Sequence, residues 1–361
     1  MTDAGPTIVA LSGGVDSAVT ALLLLRAGHA VQGLFMHNWD DDEEGYCTSA
    51  QDFQDARAVA QVLGIPLHSV DLSAQYRARV FAHFLAEYQA GRTPNPDVLC
   101  NREIKFGDCL AHARRLGAAW LATGHYARIE QRADGPALLK GVDGGKDQSY
   151  FLHAVPRAQF RQVLMPLGEL HKERVREIAR EAGLPVHAKR DSTGICFIGE
   201  RPFREFLAQY VPSTPGPILT PEGTLLGEHV GLPFYTLGQR GGIHLGGKRG
   251  YGEAPWYVAG KDAARNALLV VQGQDHPALY CRSVRVEGVN WLVPAPTGAF
   301  EAGVKLRYRQ ADQATRVTPG PDGGLQLAPL EPQRAVTPGQ SAVLYDGALC
   351  LGGGIITGTG S

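Results

Sequence analysis

The chain has 361 residues, a formal net charge of −1 at pH 7 and 44% hydrophobic residues, enough apolar material for two or three domain cores. Near-neutral charge excludes a global field that gathers nucleic acid, so any such partner must meet a local basic face. There is no apolar run of about 18 residues, which excludes a helical membrane span. The opening MTDAGPTIVA has no basic segment followed by an apolar one, so no signal peptide and a cytoplasmic location are expected.

Taken in order, TIVAL predicts a buried strand and the segment from Asp16 to Ala27 an apolar helix ending at Gly28. HAVQGLFMHN predicts a second strand. SAQDFQDARAVAQVL predicts a helix from an N-cap at Ser49 to Gly64. IPLHSVDL is a third strand and QYRARVFAHFLAEYQ a third helix. A proline-containing loop holding NPDVLCNREIKF follows, then a helix near FGDCLAHARRLG and a strand over AAWLATGHYARI. Alternation of this kind implies a parallel sheet covered on both faces.

From about residue 212 the texture changes. PSTPGPILTPEG and LGQRGGIHLGGKRGYG replace helical periodicity, and then come short β-rich runs: ALLVVQG, YCRSVRVEGV, VKLRYRQ, GGLQLAPL and SAVLYDG. A small linking domain followed by an all-β barrel is expected. The acidic run Asp40 to Glu44 reads as a solvated loop.

The first stretch with chemistry in it is ALSGGVDS, Ala10 to Ser17. A strand, a Ser-Gly-Gly turn and a helix present backbone N–H groups and a helix N-terminus to phosphate. Ser12 and Ser17 are hydroxyl donors, and Asp16 either holds Mg²⁺ or positions the loop. The Walker pattern GxxxxGK[ST] is absent, and so is GxGxxG here. The six cysteines, Cys47, Cys100, Cys109, Cys196, Cys281 and Cys350, are scattered and include no CxxC pair, unlike a disulfide framework or structural zinc site. The 12 histidines show no HxxxH or HExxH, which leaves no histidine metal site to expect. Two cysteines have polar neighbours. Cys100 follows Asp97 and precedes Arg102 and Lys105, cations that lower a thiol pKa. Cys196 stands in DSTGICFIG after Lys189 and Arg190. Cys109, Cys281 and Cys350 read as small buried hydrophobes, and Cys47 is open.

SGGVDS resembles the PP-loop of the ATP-pyrophosphatase superfamily, whose members cleave ATP between the α and β phosphates. Together with NPDVLCN, ATGHYAR, KDQSYFL, DSTGICFIG, LGQRGG, LRYR and PGQ, in that order over essentially the whole chain, it resembles the tRNA-uridine 2-sulfurtransferases, the tRNA-specific 2-thiouridylase family. The resemblance implies an α/β PP-loop domain (adenine nucleotide alpha hydrolase-like) over residues 1–202, a small central domain over 203–273 and a C-terminal β-barrel over 274–361 that contacts tRNA. It implies ATP-dependent replacement of O2 of the wobble uridine by sulfur in tRNAs for Lys, Glu and Gln.

By the same resemblance Cys196 carries a persulfide supplied by a sulfur-relay protein or a cysteine desulfurase. Cys100 is then its catalytic partner, releasing sulfide or closing a Cys100–Cys196 disulfide, and Asp97 a candidate general acid or base. Ala10, Leu11, Ser12, Gly13, Gly14, Val15, Asp16, Ser17, Met36 and Gly124 match ATP contacts, with Mg²⁺ accompanying ATP; Met36 reads equally as core. Asn95, Pro96 and Asp97 match contacts to an extruded target base. His125, Lys146, Asp147, Gln148, Arg307, Tyr308 and Gln340 match tRNA contacts. Residues 144–149 (GGKDQS) read equally as an exposed polar turn, and a strand over Leu306 to Arg309 sets both arginines on one face, either along phosphates or merely on a barrel exterior. Three other readings stay open: a [4Fe–4S] cluster on Asp97, Cys100 and Cys196, an adenylating enzyme that installs nitrogen, and a non-catalytic RNA-binding protein.

Overall fold

The computed structural model describes residues 5–39, 49–191, 203–246 and 250–360. The acidic run, Cys47 and Cys196 lie outside the described residues.

The first strands are β1 (Thr7–Ala10), β2 (Val31–His37), β3 (Leu67–Asp71), β4 (Trp120–Ala122), β5 (Ala127–Arg132), β6 (Gly135–Lys140) and β7 (Val163–Leu164). Five of them make a parallel sheet in the order β3-β2-β1-β4-β7. β1 is buried at every position, as a central strand covered on both faces must be. One face packs on α1 (Val15–Arg26), α2 (Ser49–Leu63) and a later helix through Val9, Leu11, Val19, Val59 and Val175. The other packs on α3 (residues 73–89) and α4 (residues 96–115) through Ile8, Leu34, Val80, Phe84, Ile104 and Leu110. Strand order reverses between β1 and β4, and the crevice at their C-terminal ends is where α/β sheets bind ligands.

Two local expectations are corrected in this domain. Asn95–Phe106 is not a loop. Asn95 is an N-cap whose Oδ1 accepts from the Asp97 N–H at 3.2 Å, and Pro96 occupies the first turn, where its missing N–H costs nothing. The helix then widens to a π-helix over Cys100–Cys109, whose i→i+5 bonding sets Cys100, Ile104 and Cys109 inward together. AAWLATGHYARI is two strands rather than one, because β4 ends at Ala122 and β5 pairs away from the parallel sheet with β6.

Among the described residues the later α-helices are α5 (Ser149–Leu152), α6 (Lys172–Glu181) and α7 (Phe203–Ala208). β8 (Gly216–Leu219), β9 (Leu225–His229), β10 (Trp256–Asp262) and β11 (Ala267–Gln272) form a separate central sheet in the order β10-β11-β8-β9. β12 (Tyr280–Cys281) pairs with a short strand, β17, at Gln333–Arg334. β13 (Ser283–Trp291), β14 (Phe300–Lys305), β15 (Gln313–Pro319), β16 (Leu325–Pro329), β18 (Ser341–Asp346) and β19 (Leu349–Gly360) close on themselves through β13–β19 as a six-stranded antiparallel barrel. Alternation along β16 turns Leu325 and Leu327 inward onto Val284, Val304 and Leu344. The α/β, small-domain and barrel architecture is the one expected.

The β5–β6 hairpin joins the barrel sheet at Leu139↔Leu349, so the first and last parts of the chain share one sheet. The strand expected over LRYR is absent: β14 stops at Lys305, and Arg307 and Arg309 lie in the turn beyond it. The alternation that puts two arginines on one strand face therefore does not operate. Cys109, Cys281 and Cys350 are buried as expected, and burial pushes the Cys109 and Cys350 thiols up to about 12.

Candidate active site

The Ser12–Gly14 turn lies between β1 and α1, at the crevice where the strand order reverses. Gly13 has φ +76°, and a Cβ there would stand 2.2 Å from the Asp52 carbonyl oxygen, so both backbone conformation and space demand glycine. Ser17 closes the turn: its Oγ donates to Gly14 O at 3.0 Å and accepts from the Ser12 N–H at 3.1 Å. Gly14 is the N-cap of α1 and no side chain caps it. The first N–H groups of a 12-residue helix thus point into the crevice with no side-chain acceptor, which suits an anion.

Gly124, just past β4, lies directly against this loop. A Cβ at Gly124 would fall 2.9 Å from the Asp16 carbonyl carbon and 3.0 Å from the Ser17 nitrogen. Gly124→Val is expected to cost about 1–3 kcal/mol of stability by overpacking. Since the atoms displaced are loop backbone, nucleotide affinity should fall further than Tm implies, a difference that calorimetry and nucleotide titration read separately. Met36, near the end of β2, packs partly buried against the core, as either of its readings requires.

Sequence reasoning missed the cations around the loop. Lys172, the first residue of α6, is 8% exposed. Its Nζ lies 2.8 Å from both Asp16 carboxylate oxygens and 2.8 Å from Asp191 Oδ1. Tyr126 Oη donates to Asp16 Oδ1 at 2.8 Å as well. Both Asp16 oxygens are therefore engaged, which makes the carboxylate a positioning group in this structure. Asp191 also meets Lys146 at 2.8 Å and Arg176 at 2.6 Å. Burial alone would raise the Asp191 carboxyl, but hydrogen bonds from Lys146 and Lys172 outweigh it and hold it at about 2. Beneath the loop Lys189 Nζ reaches Gly13 O at 3.1 Å and pairs with Asp52 and Asp55 on α2. A lysine in the first turn of a helix opposes the macrodipole, the one sequence signal at Lys172, but in a helix as charged as KERVREIARE that signal is too weak to single the residue out.

On α4, Cys100 is 2% exposed and Asp97 half-buried. Burial pushes the Asp97 carboxyl up, against the pull of Lys105. Lys105 also faces His125, which burial holds well below its ordinary value. The Phe106 and His125 rings lie 5.6 Å apart, so α4 packs directly beside the Gly124 end of β4. Among the described residues no three His, Cys, Asp or Glu side chains gather as a metal site. The approach of Cys100 to Cys196 lies outside the described residues.

The residues matched to tRNA contacts fall into three groups. His125 is 7% exposed and bonded to Thr123 Oγ1 at 2.8 Å. Lys146, Asp147 and Gln148 are engaged inside the protein, Lys146 with Asp191, Asp147 with Lys305 at 3.2 Å, and Gln148 with the Tyr126 N–H at 2.9 Å. From the barrel side, Arg307 donates to the Leu237 and Ala335 carbonyls, and Tyr308 packs on Phe151 with ring centroids 4.3 Å apart. Gln340 Nε2 donates to Thr93 O at 2.7 Å, two residues before the Asn95 cap. The barrel is thus seated on the loop that starts α4.

A parallel sheet with a glycine loop and an uncapped helix at its switch point defines a nucleotide-binding α/β protein. A profile described as the tRNA methyl transferase HUP domain matches residues 6–200; a PRC-barrel profile of the same name matches 204–272, and an aminomethyltransferase beta-barrel profile matches 281–356. The tRNA-specific 2-thiouridylase MnmA of Chromohalobacter salexigens is 56% identical over 362 residues, covering 99% of this chain and 94% of its own. That of Cupriavidus metallidurans is 58% identical over 353 residues, covering 97% and 98%. The NMN synthetase of Francisella tularensis covers 56% of this chain and 72% of its own at 20% identity and TM-score 0.35, too slight a likeness to bear on function. The chain belongs to the tRNA-specific 2-thiouridylase family.

Proposed function

We propose that this protein uses ATP to replace O2 of a tRNA uridine, the wobble uridine of the tRNAs for Lys, Glu and Gln, with sulfur carried as a persulfide on Cys196. The observation that carries the nucleotide half is the uncapped α1 N-terminus at the switch point, with Lys172 on Asp16 and Lys189 on the Gly13 carbonyl. Family membership at 56–58% identity over nearly the whole chain carries the sulfur half. We assign the domains as residues 1–202, 203–273 and 274–361. The sulfur source is a relay protein or a cysteine desulfurase, and the location cytoplasmic.

A uracil carbonyl oxygen is a poor leaving group, and adenylation makes it a good one. O2 attacks the α-phosphorus of ATP, the bond to the β-phosphate breaks, and pyrophosphate leaves. Backbone N–H groups of residues 13–17 and the Lys172 ammonium offset charge growing on the phosphates. Mg²⁺ accompanying ATP supplies further positive charge there. The terminal sulfur of the persulfide then attacks C2 and AMP departs with the former O2. Cys100 attacks Cys196 Sγ, freeing the thiocarbonyl and leaving a Cys100–Cys196 disulfide that an external thiol reduces. Alternatively, Cys100 attacks first and sulfide is the nucleophile. Asn95, Pro96 and Asp97 at the start of α4 receive the extruded base, and Ala10, Leu11 and Met36 border the adenosine side. Arg307, Tyr308, Gln340 and the Lys146–Gln148 turn form the tRNA side.

Asp97 is the base of this scheme, taking the N3 proton of the uracil as O2 attacks phosphorus and returning it when the thiocarbonyl forms. Burial raises its carboxyl above the ordinary aspartate range, so the acid limb of kcat/KM for adenylation should lie above that range. Asp97→Asn should remove the limb and lower the rate by about 10²–10⁴-fold, read from pH profiles of AMP formation. The reading as a whole is tested by incubating protein, tRNA, ATP and a persulfide donor. Thiolated tRNA, AMP and pyrophosphate should appear together. Methylated tRNA made from S-adenosylmethionine, with no thiolated tRNA, would refute it.

A further inference from the structure

The turn at residues 146–148 does more than face a ligand. Asp147 is buried, 4% exposed, and its carboxylate accepts from four donors: the Gly141 and Ser149 N–H groups, Ser149 Oγ, each at 3.1 Å, and Lys305 Nζ at 3.2 Å. Lys305 is itself 9% exposed and comes from the last residue of β14, in the barrel. Ser149 Oγ also meets Tyr345 Oη of β18 at 3.1 Å. The pair therefore joins the barrel to the catalytic domain. Separating it would leave two buried charges without partners, so the contact holds or breaks as a unit.

Both neighbours of Asp147 run toward the nucleotide loop. Lys146 reaches Asp191 at 2.8 Å, Asp191 meets Lys172 at 2.8 Å, and Lys172 meets Asp16 at 2.8 Å. On the other side, Gln148 bonds the Tyr126 backbone twice, at 2.9 and 2.8 Å, and Tyr126 Oη donates to Asp16 at 2.8 Å. Both routes begin at the turn Asp147 anchors and end on the same carboxylate. At the barrel end, Lys305 stands two residues before Arg307 and three before Tyr308.

The geometry points to Asp147 as a positioning residue that holds the barrel in register with the nucleotide loop, so that tRNA on the barrel and nucleotide in the loop bind cooperatively through the Lys305–Asp147 pair. The inference rests on the proposed reading that the loop takes ATP and the barrel side takes tRNA. A side chain that simply touches tRNA would alter tRNA affinity equally with and without nucleotide. A registering residue alters the ratio of the two. Linkage makes that ratio the same from either side.

The test is direct binding of unmodified tRNA to the full-length protein with and without a non-hydrolysable ATP analogue, and of the analogue with and without tRNA. Wild type should show coupling of roughly 5–150-fold. Asp147→Asn and Lys305→Met should each bring it to within about threefold of unity, and the double variant should lose no more than either single one. Lys305→Arg should keep most of the coupling, and Lys305→Met should still bind the analogue alone as wild type does. If Asp147→Asn does not fold, the Lys305 variants carry the same prediction. Wild-type coupling near unity, or coupling unchanged in Lys305→Met, overturns the inference. A wild-type protein that binds no ATP analogue overturns the proposed function instead.

Discussion

Cys100→Ala and Cys196→Ala should each abolish tRNA thiolation, by at least about 10³-fold, while ATP–pyrophosphate exchange in the presence of tRNA persists. Adenylation of O2 needs no thiol, whereas departure of AMP needs a sulfur nucleophile, so the two halves should separate cleanly. Cys196→Ala removes the carrier and should leave no protein-bound persulfide. Cys100→Ala should still accept sulfur on Cys196, visible by mass spectrometry as an added sulfur atom before tRNA is supplied. With tRNA and ATP it should stall as a tRNA–Cys196 disulfide adduct if the persulfide attacks C2 directly, and keep the persulfide if released sulfide is the nucleophile. Cys109 is the matched control. It lies on the same helix with its thiol pushed up to about 12, which leaves it protonated and inert, so Cys109→Ala should thiolate at near the normal rate. Turnover unchanged in the Cys100/Cys196 double variant would return the chain to the nitrogen-installing class of adenylating enzymes.

Lys172→Met should lower kcat/KM for ATP-dependent adenylation by about 10²–10³-fold, the effect of removing one preorganised charge from a developing anion. Lys172 also neutralises Asp16 and Asp191, with side chains 32% and 29% exposed, so its loss frees two aspartates beside the proposed phosphate site. Their repulsion should raise the KM for ATP as well as lower kcat. Lys172→Arg keeps the charge and should recover part of both, though the planar fork fits the two carboxylates differently from an ammonium. A structural role alone would appear as a lower Tm with normal kinetics at low temperature.

The strand–loop–helix proposed to take ATP was readable as a local structure because its residues are consecutive. A strand, SGGVDS and a helix specify it, and the positive φ of Gly13 is the physical reason the motif contains that glycine. The barrel was readable from β-rich runs and turn residues. Lys172 was not, since it reaches Asp16 from 156 residues away and sits in a charged amphipathic helix where one more lysine looks ordinary. Asn95–Pro96 misled for a different reason. The pair suits a turn as well as a helix start, and only the packing of Ile104 and Phe106 into the core decides for the helix. The Arg307–Arg309 reading failed because nothing in LRYR marks the end of β14, which the pairing of Lys305 with Val343 sets from another strand. Buried Asp147 could be identified as a charged residue in a polar turn, but its partner Lys305 is 158 residues away. Long-range ion pairs of this sort leave no periodicity to read.

If ATP makes the unreactive carbonyl oxygen leave, that oxygen must depart with AMP, and a single-turnover reaction of tRNA carrying ¹⁸O at the uridine 2-position follows it. The label should appear in the phosphate of AMP, one atom for each thiouridine formed, with unlabelled pyrophosphate. Unlabelled AMP beside thiolated tRNA would contradict the account.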